Sequence, residues 1–382
     1  MPHELDGQIH WHEPSGLSPA GLRRFLRREL AYDRFIAESG LPILRASHEP
    51  DLLAAPTMLL QLFGTEGRIG QSLIEIPPSG STRAEKHLCD EIVLVLSGRG
   101  STELRGATSR VVLEWQEGTI FAIPCNASHR FINATNHPAR LLCLNNLPAV
   151  LNLLDDADAV FANPLMPKLD DDAGAAFDGI EPDRVQQLAL CRTAIVPDAI
   201  GCDLPLDNRL SPAHRQLALG MTGPGLEIWL GEHRPGRYGR ARLVAPGQVS
   251  VCLQGGGYRL LWPECCGPTP LASGHAAQVI RIALSPFCLT GQGPGGGRWF
   301  EQDVVTSRNP LRHLTVRLTP PPGGPPGVEL PDLLTTDFDQ GGAIVPYWRE
   351  DPAMRPQHAA ELAALGLPNR MREVDYQAEY DV

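Results

Sequence analysis

The sequence predicts an all-β protein built from two similar barrel-sized blocks. Three observations carry this. The 38 glycines and 36 prolines cut the 382-residue chain into short apolar runs, the punctuation of strands and turns. "EIVLVLSGRGSTEL" (91–104) and "QVSVCLQGGGYRLL" (248–261) both read strand, Gly-rich turn, strand, which suggests a duplicated unit. Helical periodicity is confined to two stretches near the ends of the chain. In 18–40, Ser18 is a plausible N-cap, Pro19 sits at the first helical position, and Leu22, Phe25, Leu26 and Leu30 recur on one face. The other is "MRPQHAAELAALG" (354–366). Both are expected to pack on the β core.

The organisation follows from these blocks. Residues 1–55 form a helical arm, 56–165 a first β block, 166–219 an acidic linker that includes "LDDDAGAAFDG", 220–325 a second β block ending at "TPPPGGPPG", and 326–382 a C-terminal extension. A length of 382 residues suits one large or two ordinary domains.

Composition excludes several function classes. A net charge of -11 without a basic stripe argues against a nucleic-acid partner. No apolar run reaches the roughly 18–20 residues of a membrane span, and the N-terminus lacks the basic and apolar regions of a signal peptide. Nine irregularly spaced cysteines fit a reduced, cytoplasmic protein without a disulfide framework. The adjacent Cys265 and Cys266 read as loop residues. Lys86 and Lys168 are the only lysines, so few amines are on offer for Schiff-base chemistry.

The chemistry concentrates in the first block. If "EKHLCDE" (85–91) is extended, Glu85, His87, Cys89 and Glu91 share one face. Farther on, in "WQEGTIFAIPCNASHRFINAT" (115–135), Gly118 and Pro124 mark a turn into a strand on which His129, Phe131 and Asn133 alternate. Cys89 reads as a small buried residue.

These two stretches resemble the paired motifs of the cupin superfamily. In the first, His87, Glu91 and Gly98 hold the motif spacing, with Glu85 where the family has another His. In the second, Gly118, Pro124, His129 and Asn133 do, with Asn126 where the family has Gly. The resemblance implies a bicupin of two double-stranded β-helix (jelly-roll) barrels. It also implies metal ligands His87, Glu91 and His129, with Glu85 a possible fourth. Two imidazoles and a carboxylate are the donor set of non-haem Fe(II) oxygenases, although Mn, Ni or Zn also suit such a site. Glu85 and Asn133 are expected to orient ligands or move a proton. Ile92, Phe121 and Phe131 are candidates for the apolar lining. The whole chain is similar to two-cupin proteins labelled ethanolamine ammonia-lyase-activating.

In such proteins the second barrel resembles a fuller metal site. Here Arg242 and Val244 stand where one ligand pair would fall, and Glu301 and Asp303 where the other would. An Arg and a Val cannot replace two imidazoles as ligands, so the second barrel is expected to hold no catalytic metal. Arg242 is expected to pair with Glu301 or Asp303, with a clamp on a substrate carboxylate as the alternative.

The resulting expectation is a metal-dependent enzyme acting on a small-molecule substrate, a non-haem Fe(II) dioxygenase or oxygenase, assembled as a homodimer. Two alternatives stay open: a redox-neutral isomerase, cyclase or lyase with Glu85 as base, or a ligand-binding module that activates a partner. His10 and His12, the Gly-rich 291–297 and His137 are read as packing or loop residues.

Overall fold

A computed structural model describes residues 55–169, 189–319 and 336–377, apart from 56, 61, 63, 64, 66, 222, 224 and 292–296, together with the short strands Ile9–His10, Ile36–Ala37 and Glu181–Pro182. The predicted 18–40 helix lies outside the described residues except at Ile36–Ala37, which pair as a strand with Ile9–His10. His12, the side chain of His10 and most of 291–297 also lie outside them. Among the described residues, no helix is long and apolar enough to cross a membrane.

The first barrel contains β1 (Thr57–Leu60), β2 (Gly70–Ile76), β3 (Glu91–Ser97), β4 (Arg99–Arg105), β5 (Arg110–Gln116), β6 (Ile120–Ile123), β7 (Ser128–Asn133) and β8 (Ala139–Asn145). Two short helices follow, α1 (Leu147–Leu154) and α2 (Ala157–Phe161). The next strands are β9 (Glu181–Pro182), β10 (Ala189–Arg192) and β11 (Ile195–Val196). The second barrel continues with β12 (Arg215–Gly220), β13 (Leu226–His233), β14 (Arg242–Val244), β15 (Gln248–Gln254), β16 (Gly257–Pro263), β17 (Ile280–Leu284), β18 (Leu289–Thr290), β19 (Trp299–Val305) and β20 (Leu311–Leu318). The C-terminal helix α3 (Met354–Ala364) falls where the periodicity placed it.

Each barrel is a larger sheet facing a smaller one, the arrangement of a double-stranded β-helix. The first joins β11-β6-β3-β8-β2-β1 to β5-β4-β7, and the second joins β9-β10-β12-β13-β20-β15-β18 to β14-β19-β16-β17. The β3–β4 turn shows why the Gly-rich spacing matters. Gly98 has φ +93°, and a Cβ there would stand 2.7 Å from the Ala139 Cβ, so only glycine fits.

Strand β3 is apolar without alternation because both of its faces are covered. Val93 and Val95 point into the first barrel with Phe121 and Phe131. Ile92, Leu94 and Leu96 point outward, into a core shared with Leu217, Leu230, Val251 and Leu314 of the second barrel. Ile92 therefore packs between the barrels, a correction to its expected place in the pocket lining.

The stretch read as a linker also carries strands. Within it, β10 pairs in parallel with β12 of the second barrel, and β11 then pairs with β6 of the first. The acidic composition of 169–179 hid the short apolar runs that make these pairings.

Candidate metal centre

The segment leading into β3 is not a regular strand. Glu85 makes an isolated antiparallel bridge with His129, the chain bends at Leu88 and Cys89, and regular pairing starts at Glu91. The expected alternation over 85–91 is thus broken, yet His87 and Glu91 still meet. His129 comes from β7, one of the two neighbours of β4, where it lies opposite Leu104. Its approach depends on the turn at Pro124–Ala127. Asn126 takes φ 60° there, and its N–H bonds the His87 carbonyl at 2.8 Å. Asparagine tolerates this left-handed conformation better than most residues, which accounts for Asn where the family has Gly.

His87, Glu91 and His129 are all buried, at 6%, 5% and 1% exposure, and one ligand atom from each lies within 4.8 Å of the others. The His87 Nε2 stands 3.7 Å from Glu91 Oε2. The His129 Nε2 stands 3.3 Å from Glu85 Oε1, without hydrogen-bond geometry. Neither imidazole Nε2 has a hydrogen-bond partner.

The second ring nitrogens are engaged. The His129 Nδ1 lies 3.2 Å from the Ala127 carbonyl, so it carries the proton and leaves a lone pair on Nε2. The His87 Nδ1 lies 3.0 Å from Cys89 Sγ, and the same tautomer there directs N–H to sulfur. Asn145 donates from Nδ2 to Glu91 Oε2 at 2.8 Å and fixes that carboxylate. A Cβ on Gly70 would come within 2.4 Å of Asn145 Oδ1, so the glycine makes room for the amide.

Burial opposes charge on Glu91, but His87, then His129 and the Asn145 amide, outweigh it and lower its pKa. Burial likewise opposes a charge on His87, and its acidic neighbours Cys89 and Glu91 outweigh it, raising the pKa well above the usual value. Burial pushes the Cys89 thiol itself up, so Glu91 is the charge that matters near neutrality. A cation seated among these atoms would take the place of the His87 proton. Two lone-pair nitrogens and an ionised carboxylate fit a divalent transition metal.

Glu85 lies beside this trio with its side chain 28% exposed, at the edge of the site. Asn133 does not join them. Its Nδ2 donates to the carbonyls of Ile76, Pro77 and His137, and its Oδ1 accepts from the Thr135 N–H and hydroxyl. That amide is used up in clamping a turn, which corrects the expected part in catalysis. His137 is exposed.

The second barrel repeats the address with other residues. Arg242 bridges Glu301 as Glu85 bridges His129, and its Nε donates to Glu301 Oε1 at 2.7 Å. Deeper in, a second trio of His233, Asp303 and His313 comes together. These histidines sit on strands β13 and β20, 80 positions apart, and belong to no local motif, so only the fold reveals them. The trio suits a cation poorly. Arg259, itself buried, holds Asp303 through Nε–Oδ1 at 2.7 Å and Nη2–Oδ2 at 2.8 Å, and Ser211 Oγ lies 3.1 Å from His233 Nδ1. Burial pulls His233 and His313 down to about 3, so both are neutral near pH 7.

Residues 72–145 match the cupin domain family. That stretch runs from β2 to the end of β8 and contains His87, Glu91 and His129, so the family match falls on the first barrel and takes in its candidate ligands. No curated protein matches the chain. Among solved structures it is similar to salicylate 1,2-dioxygenase from Pseudaminobacter salicylatoxidans, at 12% identity over 66% of this chain and 71% of that one, with TM-score 0.43. It is also similar to an oxalate decarboxylase variant from B. subtilis (10%, 65% and 68%, TM-score 0.41) and to vicilin from Corylus avellana (12%, 69% and 81%, TM-score 0.42). The narrower likeness to ethanolamine ammonia-lyase-activating proteins has no counterpart among these.

Proposed function

We propose that the chain is a metal-dependent cupin enzyme acting on a small molecule, a non-haem Fe(II) oxygenase whose metal is held by His87, Glu91 and His129. One observation carries the reading. Two buried imidazole nitrogens lack hydrogen-bond partners and converge on a buried carboxylate. Leaving a buried polar atom unsatisfied costs about 1–3 kcal/mol, and a shared cation removes that cost for both at once.

When bound, Fe(II) supplies a redox centre and a template for substrate and oxygen. The chain's own residues do the rest. The Ala127 carbonyl and Cys89 sulfur orient the two imidazoles, and Asn145 orients Glu91. Val93, Phe121 and Phe131 keep the barrel interior apolar, which limits water near the site. Glu85, at the open edge, takes up or returns a substrate proton. No disulfide joins any of the nine cysteines, which supports a cytoplasmic setting, and we take the assembly to be a homodimer.

Elemental analysis of anaerobically purified protein tests the reading. About one iron per chain, with oxygen consumed when a substrate turns over, is the expected result. Manganese, nickel or zinc at that ratio, without oxygen uptake, would favour redox-neutral Lewis-acid chemistry with Glu85 as base. No metal at all would overturn the proposal.

A further inference from the structure

The mouth of the second barrel holds a cavity of about 50 Å³. That is room for roughly three to five water-sized groups. Its wall carries three guanidinium groups, Arg209, Arg242 and Arg317, against a single carboxylate, Asp207. The Trp229 ring, Ala343 and Ile344 supply an apolar side, and Thr315 and Gln248 supply neutral polar groups.

The three arginines are each tied to an acid. Arg209 bonds Asp207, Arg242 bonds Glu301, and Arg317 bonds Glu227 at 2.5 Å while its guanidinium stacks 4.4 Å from the centre of the Trp229 ring. These pairs do not exhaust groups that carry five N–H donors each. Burial pulls the Arg317 pKa below its ordinary value despite Glu227, so its desolvation is not fully offset by that partner. A second, independent observation lies on the same wall. His313 lines the cavity, is 7% exposed, and its Nδ1 has no hydrogen-bond partner.

From these features we infer that the second barrel binds a small monocarboxylate at its mouth, without a metal. The carboxylate takes donors from the arginines, which match its planar geometry, and its short apolar body lies on Trp229 and Ile344. Inorganic phosphate fits less well, because its charged oxygens would face that apolar side. Arg242 thus serves both as the structural partner of Glu301 and as part of the ligand wall. The inference does not depend on metal in the first barrel.

The test uses full-length protein treated with a chelator, so that any first-barrel metal is gone whichever metal it is. Acetate and propionate are titrated calorimetrically, with propionamide and inorganic phosphate as controls. The expected result is one propionate site per chain, binding weakened about tenfold or more by Arg242→Gln, the loss of one charge-assisted contact. Propionamide should not bind. Arg209→Gln, at a half-buried pair outside the Arg259 network, should weaken binding in the same direction and covers the case in which Arg242→Gln misfolds. The inference is overturned if neither acid binds, if phosphate binds and the acids do not, if the amide binds as well as the acid, or if properly folded arginine variants bind like the parent.

Discussion

The two barrels place different chemistry at the same address. In the first, the β7 bridge residue is His129, and the pocket ends in unpartnered nitrogens around one carboxylate. In the second, the corresponding residue is Glu301, and a chain of ion pairs runs from Arg242 through Glu301 and Arg259 to Asp303. One site is an arrangement of donor atoms suited to a cation. The other supplies its own cations as guanidinium groups. The difference teaches that a jelly roll preserves positions more faithfully than it preserves what stands there.

Removing a ligand should separate the barrels most sharply. His129→Ala is expected to drop metal content from about one per chain to near zero, read by elemental analysis, with unchanged circular dichroism. A variant that keeps its metal would place the ion elsewhere. In the second barrel the matching blow is to stability. Arg259→Met leaves Asp303 buried and unpaired and should cost about 3–5 kcal/mol, measured by urea unfolding. Pairing it with Asp303→Leu should restore much of that loss. An unaffected single variant would mean that the ion-pair chain does not hold the barrel.

Asn145→Ala should be milder than loss of a ligand. It frees Glu91 to turn and should weaken metal binding about 10- to 100-fold, seen in competition with a chelating dye. Acid should act on the second barrel. His233 and His313 are held neutral down to about pH 3, mainly by burial, whereas in the unfolded chain they take protons near pH 6.5. Their contribution to stability is therefore full above about pH 6.5 and is lost as pH falls toward 3. The urea midpoint should drop between pH 7 and pH 5, and His313→Gln should flatten that drop. The smallest effect is expected at Asn126, whose buried Nδ2 donates to the Leu165 carbonyl: Asn126→Gly loses that bond, about 1 kcal/mol, and Asn126→Ala should cost about 1–2 kcal/mol more for a left-handed residue without glycine or asparagine.

The first site was legible because its residues cluster in two short stretches, each read against a strand. Even there, regular alternation over 85–91 was too simple, since the chain bends at Cys89 and it is the start of β3 that brings Glu91 in. Asn133 shows the limit of a motif position: its place in the spacing holds, but its amide is used by the turn. The second site was legible only as the pairing of Arg242 with Glu301. His233, Arg259 and His313 lie on three different strands, and nothing local in their sequence marks them as neighbours. The helix at 354–364 announced itself through its period, whereas β10 and β11 are too short to rise above an acidic stretch.

Those two strands have a consequence for anyone who would cut the protein in half. The chain lends β10 to one barrel, crosses to give β11 to the other, and then returns, while Ile92, Leu94 and Leu96 rest on Leu230 and Val251. Severed at the middle, one fragment would lose an edge strand and both would expose a wide greasy face. The gene encodes two barrels, but the shared core predicts that the polypeptide melts as one object, and that a transplanted barrel would have to bring its neighbour with it.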